Sequence, residues 1–206
     1  GGSPWTGAKA QVYGWASWNG TKSTLALRNG ANDAQTYTFT LREALNIPAN
    51  VSGSIMLHKS FGVQDALEGL NEGEAIDINA SLTVTLPGSS LFVFDGLDAA
   101  QTPVSVTDLV LATEGNATEI EIGSTLVATA TVAPAEASFP AVTWTSSNPE
   151  VATVRGGLIV GVAEGTATIT VTANDGSGVS KSIVISVVPE VLEPYHVNFD
   201  KDASPS

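Results

Sequence analysis

Trp5, Tyr13, Trp15 and Trp18 fall within 14 residues near the start of the chain. Aromatic side chains this dense can form a flat apolar platform, and with amides and carboxylates beside it such a platform holds a sugar ring by one face. These four are therefore the candidate carbohydrate-binding residues. The competing reading is packing. Alternation along residues 11–18 puts Tyr13 and Trp15 on one side of a strand and Trp18 on the other with Gly14 and Ala16, so at least one side belongs to a core. Trp5 reads as a contact with a neighbouring domain.

Hydrolytic chemistry finds little to build on. Glycoside hydrolysis needs two carboxylates about 5–5.5 Å apart in retaining enzymes or about 6.5–9.5 Å apart in inverting ones. Glu72 with Glu74, and Asp95 with Asp98, are pairs of the right type, but they sit in glycine-rich turns and at segment ends, where solvated charge is the ordinary reading. A Ser-His-Asp site needs a positioned histidine. His58 and His196 are the two histidines. His58 is opposite in phase to Ile55 and Leu57, which places it on an exposed face or at a domain contact, and His196 lies in the tail. No catalytic residue is assigned. With no cysteine and no histidine cluster, no zinc site is expected. No cofactor is expected: calcium is the cation that oxygen donors at Asn174-Asp175-Gly176 or at Asp200 and Asp202 could ligate, but neither has EF-hand spacing, and turn chemistry explains the first and a linker the second. No phosphate-cradling glycine motif occurs. Four Asn-x-Ser/Thr matches, at Asn19, Asn50, Asn79 and Asn116, read as chance in turns rich in these residues.

The composition narrows the partners. The chain has 206 residues, 8 Lys and Arg against 21 Asp and Glu, and a net charge of −13. Such a surface repels phosphate backbones, so no nucleic acid is expected. No apolar run approaches the length of a membrane helix, so no membrane span is expected either. Hydrophobic residues make up 43% and charged ones 14%, enough to build packed cores.

The elements that must position these residues are strands. Thr numbers 22 and Ser 20. Many alternate with apolar residues, as in Tyr37-Thr38-Phe39-Thr40-Leu41, Leu82-Thr83-Val84-Thr85-Leu86 and residues 167–173. Period-2 alternation gives strands with one buried and one wet face, and sheets of such strands stack into sandwiches. Asn19-Gly20 and Asn29-Gly30 are turn dipeptides that predict a hairpin. Thr40 with Glu43 predicts a capped helix that Pro48 stops after about two turns. A second helical turn is expected at 64–70. Residues 91–94 read as a buried strand, and alternation restarts at Val104-Ser105-Val106.

The fold class expected is all-β, with two consecutive β-sandwich domains, the second Ig-like. The boundaries read as a first sandwich at 1–98, a linker at 99–103, a second sandwich at 104–189, and 190–206 as a linker or the start of a following module. Gly1-Gly2-Ser3-Pro4 and Ser204-Pro205-Ser206 read as cut ends of a longer protein. The net charge is −4 over 1–103, −6 over 104–189 and −3 over 190–206, and Arg155 and Lys181 are the sole bases of the second segment.

In that second segment Trp144 is in phase with Val142 and reads as the structural core aromatic. Ser147-Asn148-Pro149 supplies a turn, Gly157 and Gly161 flank a short strand, and Asp175-Gly176 marks a hairpin. Residues 141–154, AVTWTSSNPEVATV, followed by 157–171, GLIVGVAEGTATITV, resemble the bacterial Ig-like group 2 (BIG2) domain. The resemblance implies a sandwich of seven or eight strands, common in bacterial surface and secreted proteins as an adhesin stalk or spacer.

Residues 5–96 resemble the C-terminal antiparallel β-sandwich of secreted bacterial glycoside hydrolases. The resemblance is carried by "WNG" at 18–20, "LRN" at 27–29, "TYTFTLREALNIP" at 36–48 and "LPGSSLFVFDG" at 86–96. It implies a non-catalytic accessory fragment that supports a preceding catalytic barrel in the parent chain and acts as a spacer, at an extracellular, cell-surface or periplasmic location. The alternative is a carbohydrate-binding or cell-adhesion module, with glycans or a host surface as partner.

Overall fold

The computed structural model describes residues 12–63 and 65–190. Strands dominate, and every strand pairing among the described residues stays within 12–98 or within 108–188. The architecture is all-β, two sandwiches in succession.

The first sandwich runs β1 (Val12–Trp18), β2 (Lys22–Asn29), β3 (Gln35–Phe39), a short helix α1 (Leu41–Leu45), β4 (Ser54–Gly62), β5 (Ala75–Asp77), β6 (Leu82–Leu86) and β7 (Ser90–Asp98). Its sheets are ordered β1-β2-β7-β4-β5 and β3-β6. The alternation forecast for these segments is what joins the sheets. Leu25 and Leu27 of β2, Phe92 and Phe94 of β7, Phe39 of β3, and Val84 and Leu86 of β6 share one core.

The Asn19-Gly20 turn forms as expected. The Asn19 side-chain oxygen accepts from the Thr21 and Lys22 amides at 3.0 and 2.8 Å, and Gly20 takes φ 100°, a region that favours glycine. Asn29 behaves differently. It is fully buried, and its amide group donates to the carbonyls of Asp33, Leu86 and Pro87, stitching two loops together in place of a tight turn.

The capping box at α1 is present, with Thr40 accepting from the Glu43 amide and Glu43 reaching back to the Thr40 amide. The helix is shorter than the two turns expected. Asn46, at φ 53° and ψ 45°, closes it in the left-handed conformation before Pro48 is reached. No helix forms over residues 65–70. Leu67 and Leu70 are buried there, and Glu68 bridges to Thr85. Gly69 explains the difference. It sits at φ 88° with the Thr83 carbonyl oxygen 1.9 Å from where a Cβ would stand, so the chain lies against β6 and cannot coil.

The second sandwich runs β8 (Asp108–Thr113), a 3-10 turn (Glu114–Asn116), β9 (Glu119–Glu121), β10 (Thr125–Ala133), β11 (Val142–Ser146), β12 (Ala152–Arg155), β13 (Leu158–Gly161), β14 (Gly165–Ala173) and β15 (Ser180–Val188). Its sheets are β12-β13-β10-β8 and β11-β14-β15-β9, antiparallel except where β9 runs parallel to β15. Val104-Ser105-Val106 forms no strand. Val106 is buried and its amide is taken by the Asp175 carboxylate at 2.6 Å, which leaves it unavailable to a ladder. Among the described residues no helix is long and apolar enough to cross a membrane.

Candidate functional site

Two places gather the residues with chemical potential: the outer face of β1 and the junction between the sandwiches. On β1, strand alternation separates the aromatics as the spacing requires. Trp15 is 61% exposed, while Trp18 is half-buried and packs on the first core. Trp15 borders a shallow recess of about 250 Å³ with Ser17, Thr24 and Ala26. The register sets Trp15 opposite Ala26 and Tyr13 opposite Arg28. The small Ala26 leaves the indole uncovered. Trp5 lies outside the described residues, as do His196, Asp200 and Asp202.

At the junction, β4 carries His58 and Lys59 to the turn after β14. The His58 Nδ1 is 3.1 Å from the Asn174 carbonyl oxygen. A carbonyl only accepts, so the ring proton sits on Nδ1. The Asn174 amide group donates in return to the Lys59 carbonyl at 3.0 Å, and its side-chain oxygen accepts from the Thr143 hydroxyl at 2.8 Å. The His58 ring packs on Phe139 at 4.3 Å between centroids. Gly73 passes close to the ring, where a Cβ would stand 3.2 Å from it. Of the two faces open to His58 in the sequence, the structure selects the contact with the second sandwich. Phe139 and Asn174 are the residues that sequence reasoning missed here. Asn174 has the signature of a turn residue, and nothing in a turn signature says which strand it will grip.

The acidic residues are engaged locally. Glu72 accepts from the Lys59 amide at 2.7 Å and stands 4.0 Å from the Lys59 Nζ. Glu74 accepts from the Asn71 side chain, Asp95 from the Thr24 hydroxyl, and Asp98 from the Ala100 amide. Asp175 accepts from the amides of Val106 and Ser177. Burial opposes its ionisation, but the bonds from Ser177 and Val106 outweigh that and hold its carboxyl below the ordinary range. The Lys181 ammonium, 3.1 Å away, holds Asp108 low as well. Burial, then the charge of Glu43, pushes the Tyr37 hydroxyl up. Among the described residues no group of three or more His, Asp or Glu gathers as a metal site.

Trp144 stands at the middle of the second sandwich. It is half-buried and packs against both of that sandwich's apolar clusters, one around Ile159, Ile169 and Ile185 and one around Leu109 and Val171. Its core role is that of a bridge, and the fully buried volume belongs to the aliphatic residues around it.

Two four-stranded sheets, closed face to face with the last strand paired in parallel to an early one, define an Ig-like sandwich. Residues 101–184 match the family described as the bacterial Ig-like domain (group 2), and this segment is such a domain. An uncharacterized protein of Clostridium acetobutylicum is 35% identical over 78 residues, covering 37% of this chain and 20% of that protein. The chain thus spans about a fifth of that relative's length. A solved C-terminal 282-residue fragment of intimin, in complex with the intimin-binding domain of the translocated intimin receptor, aligns at 18% identity. It covers 82% of this chain and 58% of the fragment with a TM-score of 0.29, a score at which the likeness supports no statement about shared binding.

Proposed function

We propose that the chain is a non-catalytic support and spacer unit of a bacterial protein exported to the cell surface, the surroundings or the periplasm. The observation that carries this is the clasp between the sandwiches, in which His58 and Lys59 are tied to Asn174 by two hydrogen bonds and His58 is wedged on Phe139. A clasp of this kind restrains the hinge motion that a short linker otherwise allows. The bacterial Ig-like group 2 domain, a module of surface proteins, supports the location. The working boundaries of the proposal are 1–98, 99–103, 104–189 and 190–206.

In its finer form the proposal makes this an accessory fragment of a glycoside hydrolase, with the first sandwich bracing a preceding catalytic barrel. The "WNG", "LRN" and "LPGSSLFVFDG" phrases support it, and so does the local engagement of the acidic pairs. Small-angle scattering tests the spacer role. The intact chain should show one interdomain geometry, and Asn174→Ala should broaden its distance distribution. A broad distribution in the unaltered chain would overturn it. Reading the coding sequence upstream of Gly1 tests the finer form, which fails if no barrel with paired carboxylates is encoded there.

The exposed Trp15 favours a second reading, a carbohydrate-binding or adhesion face on β1. A glycan array probed with the chain and with Trp15→Ala separates the two. Binding lost in the variant would favour the platform, and an array without hits would leave the support reading in place.

A further inference from the structure

A cleft of about 250 Å³ opens beside the clasp. Lys59 and Phe61 line it from the end of β4. Trp144 of β11, Arg155 of β12 and Asn174 line it from the second sandwich. Its composition is unlike the rest of the molecule. The chain carries 8 bases against 21 acids, yet two of its bases meet at this one opening. Lys59 is held in place by the Asp65 carbonyl at 2.9 Å and by Glu72 at 4.0 Å, which spend part of its charge. The Arg155 side chain is exposed and makes no hydrogen bond or ion pair among the described residues. Phe61 is 60% exposed at a bulge in β4, where the register with β7 slips between Lys59 and Phe61. A bulge re-aims a side chain, and here it turns a large aromatic out at the mouth of the cleft.

An uncommitted guanidinium beside an open aromatic ring suits a ligand with one flat apolar face and one carboxylate. The guanidinium fork matches a carboxylate in two parallel bonds, and the ring takes the flat face. The net charge of −13 limits the ligand further. A polyanion would be repelled by the rest of the surface, so the negative charge must be confined to one point. We propose that this cleft binds a single uronate sugar at the end of an otherwise neutral glycan. Its carboxylate pairs with Arg155, its ring stacks on Phe61, and Lys59 adds attraction from the facing wall. The site is separate from the β1 face, and because both sandwiches line it, it rests on the proposed clasp holding them together, which the scattering experiment tests on its own.

The test is titration of the isotopically labelled chain with methyl β-glucuronide and, in parallel, with methyl β-glucoside, read by amide chemical shifts. The expected result is saturable shifts around Phe61 and Arg155, about tenfold tighter binding of the acidic sugar, and weakening with added salt. Arg155→Gln should erase the preference for the acidic sugar, and Phe61→Ala should weaken both sugars. Both side chains are exposed, so dispersed spectra should report an intact fold in each variant. Trp15→Ala should change nothing. Equal affinity for the two sugars, shifts centred on Trp15, or no saturable shifts with a folded chain would each overturn the proposal.

Discussion

Phe39, Phe92 and Phe94 sit together in one continuous core in the first sandwich, whereas the second divides its core into two aliphatic clusters joined by a half-buried Trp144. The first also depends on irregular pieces. Helix α1 and the Leu67 and Leu70 stretch both bury leucines against the sheets. The second is nearly all strand and turn. A concentrated aromatic core puts much of the cohesion on a few positions, and a divided aliphatic core spreads it out. The two regions should therefore fail differently.

The largest effect expected is at Phe94. It is fully buried on the central strand β7, stacked 6.3 Å from Phe92. Phe94→Ala should cost about 3–5 kcal/mol and unfold the first sandwich ahead of the second. Trp144→Ala removes a larger side chain, but a half-exposed one, and should cost about 2 kcal/mol. Denaturant unfolding followed by amide signals from each sandwich would measure both. An equal or greater cost at Trp144 would break the comparison.

The next effect concerns the irregular pieces. Arg42 of α1 donates to the Asn79 side chain at 2.7 Å and to the carbonyls of Ile47, Pro48 and Val51, so one guanidinium organises the loop between α1 and β4. Arg42→Ala should cost about 2 kcal/mol, because charge-assisted bonds to several carbonyls are lost together. Arg42→Lys should recover little of it, since an ammonium cannot span the fork. The corresponding loop in the second sandwich is held by smaller groups, with the Ser146 hydroxyl donating to the Ala152 carbonyl at 2.6 Å. Ser146→Ala should cost about 1 kcal/mol. Thermal unfolding of the three variants would rank them, and a Ser146 loss matching that of Arg42 would erase the distinction.

This division also governs what could be read from the sequence. Strand alternation is a local property, so β3, β6 and the long β14 were legible from residue order alone, as β7 was from its apolar run and β2 from the turn dipeptides that flank it. The capping box at Thr40 and the turn at Asn19 were legible for the same reason, since each closes within a few residues. Residues 65–70 were not. Leu67 and Leu70 have helical spacing, and what forbids the helix is the Thr83 carbonyl pressed against Gly69, a contact with a strand 14 residues on. The junction was half legible. The phase of β4 put His58 on a face that had to meet solvent or a neighbour, but Asn174 and Phe139 lie far along the chain and carry no mark of their partner. Trp15 and Trp18 were separated correctly onto opposite faces, because that needs only period 2.

The smallest effect expected sharpens the comparison on the side of charge. Asp108 and Asp175, both in the second sandwich, are held below the ordinary carboxylate range. Asp175 ties the approach to β8 down through the Val106 amide and closes the β14–β15 turn through Ser177. A carboxyl whose folded value lies below its unfolded value adds stability above the unfolded value, and that increment disappears as pH falls through the folded value. Asp175 is half-buried and water still screens its bonds, so the increment should be below about 1 kcal/mol. Asp175→Asn keeps an acceptor but loses the charge. It should be slightly less stable than the unaltered chain near neutrality and converge with it as pH falls through the lowered folded value of Asp175. Urea unfolding of both chains across that range, read on the second sandwich, gives the difference directly. A gap that stayed constant to the acid end would mean that the turn is held by geometry alone, and charge would then drop out of what separates the two sandwiches.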